Sequence, residues 1–276
     1  MIQRIWELSR YFAQNLAFSL AGLVLVILSF LFWAIFFPPS QGTPDIENYV
    51  MIIAAFGVTL TFVATLTVTS RASRAENFPL IARLPSRIEY MTAVFSAAMI
   101  FALLLQLMVA LLALIRGPDA SIGRLLEAPP VWIALDLLAA IMALHASDLI
   151  ASGWSRVMIY GTLAILLIAQ SFAERLNTWF IAIISNVSSY FYGQQMNGVA
   201  DSLGRITAWL SGSEQSLLDR FLGFVFWPFK AIESAVLGGA FSPTEALAPA
   251  VLVLYATILY LLAADLFASK DLELIE

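Results

Sequence analysis

The residues from Leu16 to Phe37 form an apolar run of about 22 residues with no charge in it, and at 1.5 Å per helical residue such a run spans the ~30 Å hydrocarbon layer of a membrane. In lipid every backbone amide and carbonyl must be satisfied within the chain, so a run of this kind is helix. Comparable runs recur at Tyr49–Thr69, Tyr90–Ile115, Val131–Ser152, about 156–172 and Leu247–Phe267. The expected fold is therefore an all-α polytopic membrane protein of six transmembrane helices, organised as one transmembrane domain over residues 1–276. Composition agrees: 61% of residues are hydrophobic and 12% charged, against roughly 25% charged in a soluble domain. Cysteine is absent and there is one histidine, which excludes disulfides and thiolate chemistry. With 14 basic residues and a net charge of -5, nucleic acid is not an expected partner.

Between the runs, charge sets the orientation. Residues 38–48 carry two acids and no base, as an outer loop does, whereas Ser70–Tyr90, reading SRASRAENFPLIARLPSRIEY, holds Arg71, Arg74, Arg83 and Arg87 and is placed in the cytoplasm. Both termini then fall on the cytoplasmic side. Residues 1–14 gather Ile2, Ile5, Trp6, Leu8 and Phe12 on one side and Gln3, Arg4, Glu7, Arg10 and Gln14 on the other, the pattern of an interfacial helix lying on the membrane. The segment lacks a convincing cleavage site for a signal peptide and is expected to remain in the mature protein.

Three local signals mark helix ends. Pro129 and Pro130 read as openers of the fourth span. Ser86 and Glu89 form a capping box ahead of the third span, and Ser242-Pro243-Thr244-Glu245 forms another ahead of the last, which is expected to bend near Pro249. The threonines of the second span, Thr59, Thr61, Thr65, Thr67 and Thr69, are read as bonding to their own or a neighbouring helix, with a polar substrate path as the minority reading. Residues 173–241 are interrupted by Asn186, Gly193, Asp219, Arg220, Pro228, Lys230 and Glu233. A broken outer hairpin of re-entrant or interfacial helices is favoured there over two further spans.

Within the cytoplasmic loop, Phe78, Leu80, Ile81 and Leu84 fall on one side of a short helix, an apolar stripe that implies a partner. Inside the spans, Asp136, His145 and Asp148 of the fourth and Asp265 of the last are candidate functional groups, because charge in lipid is costly. His145 and Asp148, three apart, share a helix face and a proton relay is conceivable. The plainer reading is that Asp148 and Asp265 are solvated near the cytoplasmic end and His145 is partnered inside the bundle. Two such ligands alone make no metal site, Glu174 and Arg175 mark the outer end of the fifth span, and no HExxH or GxSxG motif suggests an enzyme.

With its interfacial first helix, six spans, a loop helix followed by Leu84-Pro85-Ser86-Arg87-Ile88-Glu89-Tyr90, a broken outer hairpin and an ending Leu266-Phe267-Ala268-Ser269-Lys270-Asp271-Leu272, the chain resembles the permease subunit of a type-2 ABC exporter. The Pro-Ser step is one residue shorter than the family's. The resemblance implies a bacterial inner-membrane protein, working as a homodimer or pseudo-dimer with a separate ATP-binding subunit to move a substrate outward. It implies no cofactor. The chain has no GxxxxGK[ST] phosphate loop, so any ATP site belongs to another polypeptide. Force is then expected to enter through the apolar stripe of Phe78, Leu80, Ile81 and Leu84, seated in a groove of the ATPase and rimmed by Arg74, Glu76, Arg83 and Arg87. The alternatives are a loop lying on anionic lipid, and, for the protein as a whole, a structural or assembly subunit docking through the aromatic-rich stretch from Trp179 to Trp227.

Overall fold

The computed structural model describes residues 1–38, 45–115, 122–150, 160–161, 181–211, 217–238 and 242–269, and among them the regular elements are all helical. Residues divide into two compact units, one of 1–157 with 228–276 and one of 158–227.

The larger unit holds α1 (Ile2–Ala17), α2 (Leu20–Phe36), α3 (Ile46–Ala72), α4 (Phe78–Arg83), α5 (Arg87–Leu114), α6 (Ile122–Ala146) and α10 (Ala248–Ser269). Four segments are long and apolar enough to cross a membrane: α3, α5, residues 123–146 of α6, and residues 245–269 ending in α10. The pair α1 and α2, bent by 71° at their junction, makes a fifth if counted as one broken span. The expected fifth span at about 156–172 lies outside the described residues except for 160–161.

The packing is compatible with lipid surroundings. α5 turns Ala93, Ala97, Ala98, Ala102, Ala110 and Ala113 into the core, and such small side chains let neighbouring helix backbones approach closely where no hydrophobic force drives association. Its Leu104, Leu107 and Leu111 face outward, as do Leu254, Ile258, Leu261 and Leu262 of α10. Exposed leucine rows are natural to helices bathed in acyl chains. α3 lies in the middle, packed against both α5 and α6, with α10 on α6 and α1 on α5. Buried polar groups tie these contacts: Tyr49 Oη donates to the Ala110 carbonyl at 3.2 Å, Trp132 Nε1 to Val50 at 3.0 Å, and Thr92 shares a 2.6 Å hydrogen bond with Tyr260. Thr59, Thr65, Thr67 and Thr69 each bond the carbonyl four residues back at 2.7–2.8 Å, the plain role expected of them. Thr61 is buried without a partner.

At the elbow between α1 and α2, Ser19 caps α2 by accepting from the Gly22 amide at 3.1 Å while donating to the Leu16 carbonyl at 2.6 Å. A Cβ at Gly22 would lie 2.0 Å from the Leu16 carbonyl oxygen. The bend therefore requires glycine there.

One expected helix start differs. α6 begins at Ile122, so Pro129 and Pro130 sit inside the helix rather than opening it. The two missing amides leave the carbonyls four residues earlier without their helical donors, a defect that membrane helices tolerate when neighbours or local adjustments satisfy them. Pro249 stands at the second residue of α10, just after the 3-10 turn Glu245–Leu247, a first-turn position where its absent amide is tolerated. The capping box ahead of α10 forms as read: the Glu245 amide donates to Ser242 Oγ at 3.3 Å and the Ser242 amide to Glu245 Oε2 at 2.9 Å.

The smaller unit contains α7 (181–193), α8 (Asn197–Ser211) and the first part of α9 (Leu217–Leu237). α7 and α8 join through a turn in which Gln195 adopts φ 59° and the Met196 amide bonds back to the Phe191 carbonyl at 3.0 Å, a left-handed helix stop that favours glycine elsewhere. Ser188 donates to the Ala200 carbonyl at 3.0 Å, and Tyr192 donates to Asp201. That bond, together with the nearby carboxylate, raises the Tyr192 phenol above its ordinary value. Among the described residues of 173–241, no helix is both long and apolar enough to cross a membrane.

Candidate functional site

α4 bridges α3 and α5, the two longest candidate spans, and its connections are fastened to the helix ends on both sides. Asn77 Nδ2 donates to the Arg71 carbonyl at 2.9 Å, which also accepts from the Arg74 amide at 3.2 Å, and Tyr90 Oη donates to the Ala72 carbonyl at 2.7 Å, so side chains from across the bridge hold carbonyls of the last turn of α3. A 3-10 turn at Ala75–Asn77 leads into α4, whose first turn holds Pro79.

The apolar stripe is not free. Ile81 is 4% exposed and belongs to the chain's own core, with Leu80 and Leu84 packed against that core and half-buried. The side chain of Phe78 lies outside the described residues. Ile81 is therefore taken up by the chain's own bundle, since amphipathic spacing demands an apolar neighbour and the bundle supplies it there, while Leu80 and Leu84 keep part of their surface exposed. What α4 and its approach present outward is Arg74, Glu76, Pro79, Ala82 and Arg83, while Arg87 is half-buried. Arg74 and Glu76 approach to 4.0 Å and are both well exposed, a pair of little energetic consequence.

α1 braces the same end of the bundle. Its Phe12 and Leu16 are buried, Arg71 donates to the Asn15 carbonyl at 3.0 Å, and Arg4 pairs with Glu89, Nη2 donating to Oε1 at 3.4 Å and Nε lying 3.3 Å from Oε2 outside hydrogen-bond geometry. Glu89 thus turns to α1 rather than back to the start of α5, and the capping box expected there does not form: Ser86 Oγ accepts from the Ile88 amide at 3.3 Å, and the Glu89 amide donates to the Ser86 carbonyl at 3.1 Å. A guanidinium offers the carboxylate a charged donor where the backbone offers a neutral amide.

Deep in the bundle, Asp136 is fully buried and neither carboxyl oxygen has a hydrogen-bond partner. It lies about 20 Å along the helix from Gly123 and about 15 Å from Ala146. Gln106 of α5 is its polar neighbour, but the Gln106 amide donates to the Ile53 carbonyl of α3 at 3.3 Å and does not reach the carboxyl in hydrogen-bonding geometry. Gly57 makes room for that amide, since a Cβ there would fall 1.9 Å from Gln106 Nε2.

His145 is buried with Nε2 2.9 Å from the Leu259 carbonyl, so it ties α6 to α10. Its expected facing partner Asp148 lies beyond the end of α6 at Ala146, exposed in the turn at 147–150. The shared helix face is corrected on that ground: the helical register stops before Asp148. Asp265 is exposed on α10. The structure therefore does not bring Asp136, His145, Asp148 and Asp265 together, and among the described residues no group of three or more His, Asp or Glu is placed to hold a metal. Glu174 and Arg175 lie outside the described residues.

The fold and site define a helical protein with several segments apolar enough to cross a membrane, a braced bridge at one end and a buried carboxyl in its interior. No protein-family model matches the chain, and no curated protein or solved structure is similar to it.

Proposed function

We propose that the chain is the membrane-spanning permease subunit of a type-2 ABC exporter, energised by a separate ATP-binding subunit. The observation that carries this reading is the α4 bridge: with Ile81 in the core and Tyr90 and Asn77 bonded to the end of α3, a displacement of α4 moves α3 and α5 together. The docking surface in this reading is the outward face of α4 at Pro79, Ala82 and Arg83 rather than its apolar stripe. The arginine-rich bridge and both termini face the cytoplasm of a bacterial inner membrane, six spans and a broken outer hairpin over 173–241 complete the topology, and two copies act together on a hydrophobic or amphipathic cargo.

A second reading, a structural or assembly subunit without transport, is favoured by that same burial of Ile81, which commits that part of the stripe to the chain itself. Purification of the tagged full-length protein from its native membranes in mild detergent, followed by photolabelling with an azido-ATP analogue, separates the two. Transport predicts a co-purifying labelled polypeptide in one-to-one ratio. Stable assemblies that carry no labelled component overturn it.

A further inference from the structure

Where α1, α3 and the 3-10 turn meet there is a cavity of about 360 Å³, lined among others by Tyr11, Asn15, Arg71, Arg74, Glu76 and Asn77. Two guanidinium groups and one carboxylate leave the lining with an excess positive charge. Arg71 binds a backbone carbonyl, and among the described residues no ion pair joins it to a carboxylate; Arg74 has only the loose 4.0 Å contact with exposed Glu76. The remaining lining is Phe12, Leu16 and Val68 with a phenol hydroxyl and two side-chain amides that can donate to an anion, Asn77 with the one amide proton not given to the Arg71 carbonyl.

The position of the cavity selects the anion. It sits where α3 passes from its apolar run into the charged connection, and its lining ends at Leu16, just before the chain turns at Phe18 and Ser19 into α2. Phe18 and Leu20 are largely exposed, Leu23, Ile27 and Leu31 continue an exposed apolar face down α2, and Trp6 is exposed on α1. A tryptophan at the polar boundary with an acyl-compatible face beyond it is the setting of a membrane interface.

We propose that this cavity binds the phosphate headgroup of an anionic phospholipid, with Arg71 and Arg74 holding the phosphate and the acyl chains running along the outer face of α2. The lipid would wedge α1 against the α3 end and so stiffen the bridge. The site rests on the chain lying in a membrane and is independent of any ATPase.

Native mass spectrometry of the full-length protein in detergent, titrated with phosphatidylglycerol, phosphatidylcholine or inorganic phosphate, tests it. Phosphatidylglycerol is expected to bind more tightly than phosphatidylcholine. Arg74→Gln, a substitution at an exposed position, weakens phosphatidylglycerol binding about fivefold and leaves phosphatidylcholine unchanged. Glu76→Gln, which removes the one acid of the lining, tightens it, a gain that a merely structural role for these residues would not produce. Equal affinity for the two lipids, or an unchanged phosphatidylglycerol affinity in both variants, overturns the proposal. Stabilisation by inorganic phosphate equal to that by phosphatidylglycerol overturns the lipid as the source of the anion.

Discussion

Gly22→Ala is expected to open the elbow between α1 and α2. The new Cβ would lie 2.0 Å from the Leu16 carbonyl oxygen, 2.8 Å from its carbon and 3.1 Å from Ala17 Cα, all backbone atoms that no rotamer change can move. To reach an ordinary C···O contact of ~3.3 Å the two helices must separate by roughly 1.3 Å. α1 is about 24 Å long, so a 10° rotation at the elbow swings its far end by roughly 4 Å, enough to part Arg4 from Glu89. Overpacking costs about 1–3 kcal/mol, and contact with backbone belongs at the upper end; alanine recovers ~1 kcal/mol of helix propensity. The net loss is about 2 kcal/mol. Gly123→Ala is the control, since a Cβ there meets nothing within 4 Å. Because the chain has no cysteine, spin labels on Arg10→Cys and Ile88→Cys report the α1–α5 distance without background, alongside thermal unfolding in detergent. Gly22→Ala should broaden and lengthen that distance and lower the melting temperature, with Gly123→Ala doing neither. An unchanged distance and melting temperature in Gly22→Ala refutes the reasoning.

Other substitutions probe the ties between elements. Arg4→Ala strands the Glu89 carboxylate, whose side chain is 6% exposed; the half-exposed position of Arg4 discounts the cost to about 1–2 kcal/mol, and adding Glu89→Gln should recover most of it in thermal unfolding. Gly57→Ala drives the Gln106 amide from its place and forfeits its bond to Ile53, costing about 1–3 kcal/mol. In the double variant with Gln106→Ala the two effects should be less than additive, since one side chain is the cause of both. Ser242→Ala removes the cap from the Glu245 amide and should cost about 1 kcal/mol, seen as faster hydrogen exchange confined to the start of α10.

What the sequence made legible was whatever depends on neighbours along the chain. The long apolar runs place α3, α5 and α10, and the Ser242 box could be read because its two partners are three residues apart. Ser86 looked alike, but Glu89 was claimed by Arg4, 85 positions away, and no local signal announces such a pair. Pro129 and Pro130 misled for a related reason: proline favours the first turn of a helix, yet the run around it continued helical from Ile122. The stripe of Phe78, Leu80, Ile81 and Leu84 showed that something apolar covers it, but periodicity is silent on whether the cover is the same chain or another. Asp136 was visible as a charge in a span. That Gln106 stands beside it with its amide turned to Ile53 is a consequence of packing among three helices.

Photo-crosslinking from α4 tests the central claim most directly. A photoreactive residue introduced at exposed Ala82, in the full-length protein within its native membranes, is expected to capture a nucleotide-binding polypeptide, while the same group at buried Ile81 captures only the chain's own helices. If Ala82 crosslinks to lipid or to its own chain alone, α4 has no motor docked on it and the transport account is contradicted.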